Sequence, residues 1–290
     1  MQVRGPTSDR LRDAEQQPAS PGTWDEDPDG ASILLATGRA RHDLLVIAEP
    51  AFLRDLDQAW GRPASRVRLS LLPGVQAPGA PGQEDALLSY ERGGLGVLVA
   101  RGRTSLYEGE SARSTTALAR IASGTRLRAA LLVTRATPLR GSGDEAGGRS
   151  GDAAPGQVRV VADHLNLSGG PLFPATGMVS AGWDANLTER LGRLRGVSGS
   201  AVVALVPGPL RPSPAEARVL ASLGADAAVT DSVAEAMALA SRGVTVSALT
   251  YLDAPAAGGN LGQAQLALRQ ASGVALAAVE EVLRSLQAGA

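Results

Sequence analysis

The chain alternates short, almost continuously apolar runs with segments whose apolar residues recur at helical spacing. The runs are rich in aliphatic and β-branched residues, are bounded by turn residues, and lie at residues 43–48, 95–100, 129–134, 158–162, 201–206, 227–230 and 244–250. Strands covered on both faces have this near-continuous apolarity, because neither side of the sheet meets water. The alternation predicts a single α/β domain with a central, largely parallel or mixed sheet flanked by helices.

Capping signals place several of the helices between these runs. Ser213 precedes Pro214 and stands three residues before Glu216, which is the spacing of a capping box. Asp231 is predicted to cap a second helix that runs to about residue 241 and ends before Gly243. The dipeptide at residues 49–50 is suited to start a helix after the first strand, with the acid near the positive end of the helix dipole.

The remaining segments set the predicted boundaries. Residues 1–32 have no periodic apolar pattern, so they are predicted to form a disordered tail before a domain at 33–290. The Gly- and Ser-rich stretch at about 140–157 is predicted to be a flexible, exposed loop. An amphipathic helix is predicted over about 262–287, with a break near Gly273.

Composition excludes several classes of function. The 290 residues carry a formal net charge of −1, which gives no electrostatic reason to expect nucleic acid or an anionic membrane as a partner. Cysteine is absent and only His42 and His164 are present, so no disulfide framework, thiolate metal site or histidine cluster is expected, and no metal is predicted. Without a signal-peptide pattern or a long apolar span, the chain is expected to be cytoplasmic.

Common catalytic motifs are missing or incomplete. No phosphate-binding P-loop and no G-x-G-x-x-G after a strand is present, and residues 196–200 (GVSGS) lack the final glycine of a nucleophile elbow. Asp163 and His164 are adjacent, and adjacent side chains rarely face each other as an acid–base pair requires, so this pair is predicted to be structural. The carboxylates after Trp24 are predicted to belong to the solvated tail.

Five segments, in order along the chain, resemble the signatures of the trimeric purine nucleoside phosphorylases. They are 102–109 (GRTSLYEG), 156–166 (GQVRVVADHLN), 208–216 (GPLRPSPAE), 223–235 (LGADAAVTDSVAE) and 256–258 (AAG), and a weaker match covers 73–83. The resemblance spans about residues 34–285. It implies the phosphorylase fold, a homotrimer, no cofactor, and the reaction of a purine nucleoside with phosphate as co-substrate.

The resemblance also implies which residues occupy the family's phosphate site, and most of them differ from the family pattern. Arg103 matches, whereas carboxylates occupy two serine positions and a serine occupies a histidine position; the assigned residues are Glu49, Arg103, Ser105, Ala136 and Asp231. Gln83 takes the place of a further histidine, and Arg135 stands where the family has an asparagine. Two carboxylates would then face a phosphate dianion. At 4 Å, the repulsion between each carboxylate and a unit of phosphate charge costs about 1–4 kcal/mol of binding free energy.

The positions implied for the nucleoside differ as well. Pro212 stands where the family has the glutamate that holds the purine, and Ala254 stands where it has the asparagine near N7. A shift of one residue would place Asp253 there instead, and an aspartate at that point can protonate a purine. The other nucleoside-site positions are Tyr107, Val179, Trp183 and Thr230. No catalytic residue is clearly retained among Ser105, Pro212, Asp253 and Ala254.

A purely structural interpretation is also open. Arg103, Tyr107 and Glu108 can match the family pattern simply because their turn is part of the fold, and Asp231 can serve as a helix cap. Two functional hypotheses follow. The first is a purine nucleoside phosphorylase-like enzyme with an altered site and weakened or lost activity. The second is a non-catalytic paralogue that binds a ligand or serves as a partner in an oligomer.

Overall fold

The computed structural model describes residues 24, 26–139, 154–170, 172, 182–208, 211–253 and 261–289. Its strands form one sheet of mixed direction. They are β1 Leu44–Ile47, β2 Ser65–Val67, β3 Leu87–Arg92, β4 Leu95–Ala100, β5 Ala129–Pro138, β6 Val158–Asn166, β7 Val197–Leu205, β8 Ala227–Val229 and β9 Thr245–Leu252. The predicted α/β fold with a central mixed sheet is confirmed.

The long strand β5 lies where two parts of the sheet meet. Along its first half it pairs in parallel with β1 on one side and β9 on the other, and its last two residues pair with β8. Because β8 continues through β7 and β6 back to β9, strands β5 to β9 close into a ring. Strands β1, β4, β3 and β2 extend from it as an open wing.

Helices cover both faces of this sheet. They are α1 Ala31–Thr37, α2 Pro50–Trp60, α3 Ala112–Thr115, α4 Ala117–Gly124, α5 Ala185–Gly192, α6 Pro214–Ser222, α7 Val233–Ala240 and α8 Leu261–Ala288, with single 3₁₀ turns at Leu69–Leu71 and Leu106–Glu108. Alternate strand residues point to opposite faces. Leu45 and Ile47 of β1 join the core beneath α4 and α7, whereas Leu44 and Val46 join the core beneath α2 and α8.

The strand predictions agree with the structure at their centres and differ at their ends. The run at 95–100 coincides with β4, and β6 extends past its prediction to Asn166 because its polar second half still pairs with β7. Strands β2 and β3 were absent from the sequence prediction. The three residues of β2 are polar or half exposed, and they pair with the β-hairpin formed by β3 and β4.

Two helix predictions are wrong. Asp231 does not cap α7, because Ser232 occupies the N-cap position with a left-handed φ of 65° and without a side-chain cap. The C-terminal helix does not break near Gly273 but runs unbroken from Leu261 to Ala288. A Cβ at Gly273 would lie 3.2 Å from the Asp55 carboxylate of α2, so the glycine allows the two helices to pack closely.

The first described residues pack on the domain. Asp27 accepts hydrogen bonds from the amides of Ala31 and Ser32 at 2.8 Å, so α1 begins inside the segment predicted as tail. The Trp24 ring lies 5.6 Å from the Arg120 guanidinium. Most of residues 1–32 and of the predicted loop at 140–157 lie outside the described residues, and the flexibility of both stays a prediction.

No helix within the described ranges has the length and apolarity that a bilayer crossing requires. Those same residues contain no group of three or more His, Cys, Asp and Glu side chains suited to hold a metal ion.

Candidate active site

A cavity of about 300 Å³ opens where several strands end. Its walls include Glu49, just after β1, and Asp253, after β9; both strands run parallel to β5 and therefore end at the same edge of the sheet. Val206, which follows β7, also lines the cavity. The cavity brings together nine of the positions assigned from the sequence, namely Glu49, Arg103, Ser105, Tyr107, Ala136, Pro212, Thr230, Asp231 and Asp253.

The Arg103 guanidinium is buried at the base of this cavity. Its Nη2 donates to the carbonyl oxygens of Ile47, at 2.7 Å, and Val133, at 2.9 Å. Its Nη1 lies 3.3 Å from the Asp231 carboxylate and 3.1 Å from that of Glu235. Burial disfavours the charge on Arg103, but these carboxylates outweigh it and raise the arginine's pKa. Both terminal nitrogens of Arg103 therefore already have partners within the fold: Nη2 contacts two backbone carbonyls, and Nη1 contacts two carboxylates.

The two carboxylates that hold Arg103 differ in burial. Glu235 is 3% exposed, and burial raises its pKa to about 7 although Arg103 works in the opposite direction. Asp231 faces the cavity, and its Oδ1 also accepts a hydrogen bond from the Thr134 hydroxyl. Asp231 is thus a partner of Arg103 and Thr134, which explains why it does not cap the following helix.

A second, partly buried network of charges also lines the cavity. Arg135 Nε donates to Glu49 Oε2 at 2.7 Å, and its Nη1 donates to Asp253 Oδ1 at 2.9 Å. The guanidinium also lies 5.2 Å from the Phe52 ring centre and 5.9 Å from that of Tyr251, a cation–π arrangement. Burial raises the pKa of Glu49, and the charge of Arg135 opposes that shift. The two carboxylates that the sequence assigned to the phosphate site thus pair with different arginines, Asp231 with Arg103 and Glu49 with Arg135.

The turn that carries the strongest sequence match is held by its own side chains. Ser105 and Glu108 form a capping box around the turn, with Glu108 Oε1 accepting from the Ser105 amide at 3.1 Å. Glu108 Oε2 accepts from the Gly79 amide at 2.6 Å. Tyr107 is 43% exposed at the cavity rim, and its ring lies against Gly208, where a Cβ would come within 2.9 Å. The hydrogen bonds of Glu108 support the structural interpretation of this turn, and Ser105 takes part in the same capping box.

Three assigned positions are not in the cavity wall that the structure describes. Trp183 is buried elsewhere, and its indole nitrogen donates to His164 Nδ1 at 3.1 Å. Val179 and Ala254 lie outside the described residues, so their placement stays a prediction. The pairing of His164 with Trp183 supports the structural interpretation of the Asp163–His164 pair, which lies in β6.

Sequence reasoning missed two charged residues of the site. Glu235 ends the fourth matched segment, but a sequence match does not reveal that the side chain points at Arg103. Arg211 lines the cavity mouth, half exposed, with Nη2 3.9 Å from Asp253 Oδ2. The described cavity wall contains four carboxylates and three arginines, and each of these arginines is paired with at least one acid. The site therefore has mixed charge, with a small negative excess.

Comparisons with known proteins agree on one family. The chain is 31% identical over 230 residues to a purine nucleoside phosphorylase of Mycobacterium tuberculosis, covering 77% of this chain and 80% of the relative. It is 32% identical over 226 residues to that of Mycobacterium leprae, with the same coverages. A Cellulomonas purine nucleoside phosphorylase is 28% identical over 243 residues, covering 78% and 79% of the two chains. No family model matches the sequence.

Solved structures share the fold. A purine nucleoside phosphorylase isoform of Schistosoma mansoni, solved with cytosine and ribose-1-phosphate, superposes with a TM-score of 0.71 at 17% identity, covering 92% of this chain and 98% of that one. Another structure from the same organism, in complex with inosine, gives a TM-score of 0.67 at 19% identity, covering 88% and 93%. Together with the identity to the mycobacterial enzymes, this fold shows that the chain belongs to the purine nucleoside phosphorylase family.

Proposed function

We propose that the protein binds a purine nucleoside or its free base in the cavity beside Arg103, and that phosphorolysis there is weakened or lost. Binding is supported by the family and by the cavity, which has the size of a small-ligand site and a partly apolar wall. The loss of phosphorolysis is supported by one observation above all. The terminal nitrogens of Arg103 already contact two carboxylates and two backbone carbonyls.

Phosphate binding needs donors that are free to turn toward the anion, together with a surplus of positive charge. Here Asp231 and Glu49 line the cavity in which a phosphate would have to lie. At about 4 Å each carboxylate would repel a unit of phosphate charge by roughly 1–4 kcal/mol, depending on screening. Displacing Asp231 from Arg103 would also leave a partly buried acid without its partner. These costs oppose the phosphate co-substrate specifically and leave an uncharged nucleoside unaffected.

The alternative is a non-catalytic paralogue that binds a ligand or contributes a subunit to an oligomer. It is favoured by the hydrogen bonds that tie Ser105 and Glu108 into the turn, because these side chains serve the fold without a substrate. We propose a homotrimer and a cytoplasmic location for the protein, whether it is an altered enzyme or a non-catalytic paralogue. Light scattering on purified protein tests the trimer, which would have three times the chain mass of 29.5 kDa.

A direct test measures base release from inosine, guanosine, adenosine and methylthioadenosine, each with and without phosphate. We expect no phosphate-dependent turnover, while calorimetry detects binding of at least one nucleoside or its base. Appreciable formation of the pentose 1-phosphate, abolished by Arg103→Ala, would contradict the proposed loss of phosphorolysis. The absence of any nucleoside or base binding at millimolar concentration would contradict the proposed ligand class.

A further inference from the structure

Glu49 contributes to the cavity wall a carboxylate oxygen that accepts no hydrogen bond from the described residues. Glu49 lies at the end of β1 as the N-cap residue of α2, and its side chain does not cap that helix. Arg135 fixes its Oε2 at 2.7 Å, while its Oε1 accepts no hydrogen bond from any described residue. The side chain is 12% exposed and lines the cavity. Glu49 is thus an oriented carboxylate with one oxygen available to a molecule in the cavity.

A general base requires this arrangement. It needs a proton acceptor that a second group holds in place, in a site where little bulk water competes. The charged and titratable groups that face Glu49 are Arg135, Asp231 and Arg103. Burial and the charge of Asp231 raise the pKa of Glu49, while the two arginines lower it, and the net shift is upward. A raised pKa makes the carboxylate a stronger base at neutral pH than an exposed glutamate.

We propose that Glu49 activates a water molecule for hydrolysis of the N-glycosidic bond of a purine nucleoside bound in this cavity. The inference rests on the proposed function only in that a purine nucleoside occupies the cavity. It assigns a catalytic role to Glu49, a positioning role to Arg135, and water as the nucleophile in place of phosphate. The products are the free purine and the free pentose.

The atoms balance without any further reactant. The oxygen of water forms a bond to C1′ of the pentose as the bond from C1′ to the purine nitrogen breaks. Glu49 Oε1 takes one proton of the water, and the departing purine, which receives the bonding electron pair, takes a proton from solvent. Glu49 then returns its proton to solvent. The sum is nucleoside plus water giving purine plus pentose.

The charges that oppose phosphate favour this step. Water is neutral, so Glu49 and Asp231 do not repel it from the cavity. As the glycosidic bond breaks, positive charge develops on the pentose ring, as in other glycoside cleavages. The Asp231 carboxylate, fixed by Arg103 and Thr134 at Oδ1, lines the same cavity and stabilises that charge through space.

The experiment incubates the full-length protein with inosine or adenosine in phosphate-free buffer. Purine release is followed by chromatography, and the pentose is analysed by mass spectrometry. We expect slow, phosphate-independent purine release, with free pentose and no pentose 1-phosphate as the second product. The rate should fall at acid pH as Glu49 takes up a proton. Glu49→Gln should reduce kcat by about 100-fold or more, the usual contribution of a general base.

Two matched variants separate a catalytic from a structural role for Glu49. Glu91→Gln removes the charge of a 62% exposed glutamate that pairs with Arg39 on the surface, and it should leave the rate unchanged. Arg135→Lys should retain part of the activity and shift its acid limb, because a cation still faces Glu49. Nucleoside binding to Glu49→Gln, measured by calorimetry, should match that of the unmodified protein.

The possible outcomes distinguish this inference from the proposed function. Full hydrolysis in Glu49→Gln, or the absence of purine release from a protein that binds nucleoside, would overturn the inference and leave the proposed ligand standing. Pentose 1-phosphate as the product, formed only with phosphate, would overturn both. Free pentose formed without phosphate, together with a large loss of kcat in Glu49→Gln, would support the inference.

Discussion

The Arg103 guanidinium and the Glu235 carboxylate lie 3.1 Å apart, and both side chains are only 4% exposed. One belongs to the turn after β4 and the other to α7, so the pair joins two distant segments beneath the cavity. Burying two charges carries a desolvation cost that their attraction offsets only while both are present. The geometry of the cavity base therefore depends on this pair.

Replacing Arg103 with Met should destabilise the fold. The variant leaves Glu235 buried without a cation and removes the donors that the Ile47 and Val133 carbonyls use. Breaking a buried pair from one side typically costs about 3–5 kcal/mol of unfolding free energy. Urea denaturation at pH 8 measures it. As a control, Arg193→Met removes the cation of an exposed helical pair with Glu189 and should change the unfolding free energy by less than about 0.5 kcal/mol. Equal effects of the two variants would contradict the role given to the buried pair.

Stability should decrease as the pH rises through the titration of Glu235. Its pKa moves from 4.5 to about 7 on folding, so between those values the folded state holds a proton that the unfolded chain releases. Stability linked to this group is thus greatest below about pH 4.5 and lost by about pH 7, a difference of about 3 kcal/mol. Glu235→Gln does not titrate, so the unmodified protein should lose stability relative to this variant between pH 5 and pH 8. A constant difference between the two proteins across that range would show that Glu235 does not titrate there.

Removing the cavity carboxylates should create an anion site. In the double variant Glu49→Gln, Asp231→Asn, the charge facing Arg103 and Arg135 becomes more positive by two units, and Arg103 Nη1 loses a competing acid. We expect phosphate at 10 mM to raise the Tm of this variant and leave that of the unmodified protein unchanged, because binding to the folded state stabilises it. Sulfate should act similarly and chloride weakly. A phosphate-induced shift of the same size in the unmodified protein would refute the explanation.

The capping box at the start of α6 should contribute measurably to stability. The Ser213 hydroxyl accepts from the Glu216 amide at 3.3 Å, and Glu216 accepts from the Ser213 amide at 2.7 Å. Ser213→Ala should therefore lower the unfolding free energy by about 1 kcal/mol. Ser222→Ala on the same helix removes only a hydroxyl that donates to the Val219 carbonyl, and it should have little effect. Thermal denaturation of the two variants side by side tests the difference.

The apolar runs sufficed to predict the α/β class and the strand centres, because a strand buried on both faces must be apolar along its whole length. Polar edge segments such as β2 carry no such signal, and they become strands only through pairing with a neighbour. Gly273 shows the same limit for helices. Its local propensity predicts a break, and close packing on α2 overrides it.

The site shows where local sequence stops being informative. The order of matched segments identified the family and nine positions that the fold then brought into one cavity. Which charges face one another depended on tertiary structure, because the partners lie far apart in the chain. Asp231 looks like a helix cap in sequence and instead binds Arg103, 128 residues away. Glu49 looks like a helix start and also binds Arg135, 86 residues away. Local patterns and their order along the chain were enough to predict the fold and the family. The pairing of the charges depended on the tertiary structure, because only the folded sheet brings these distant segments around one cavity.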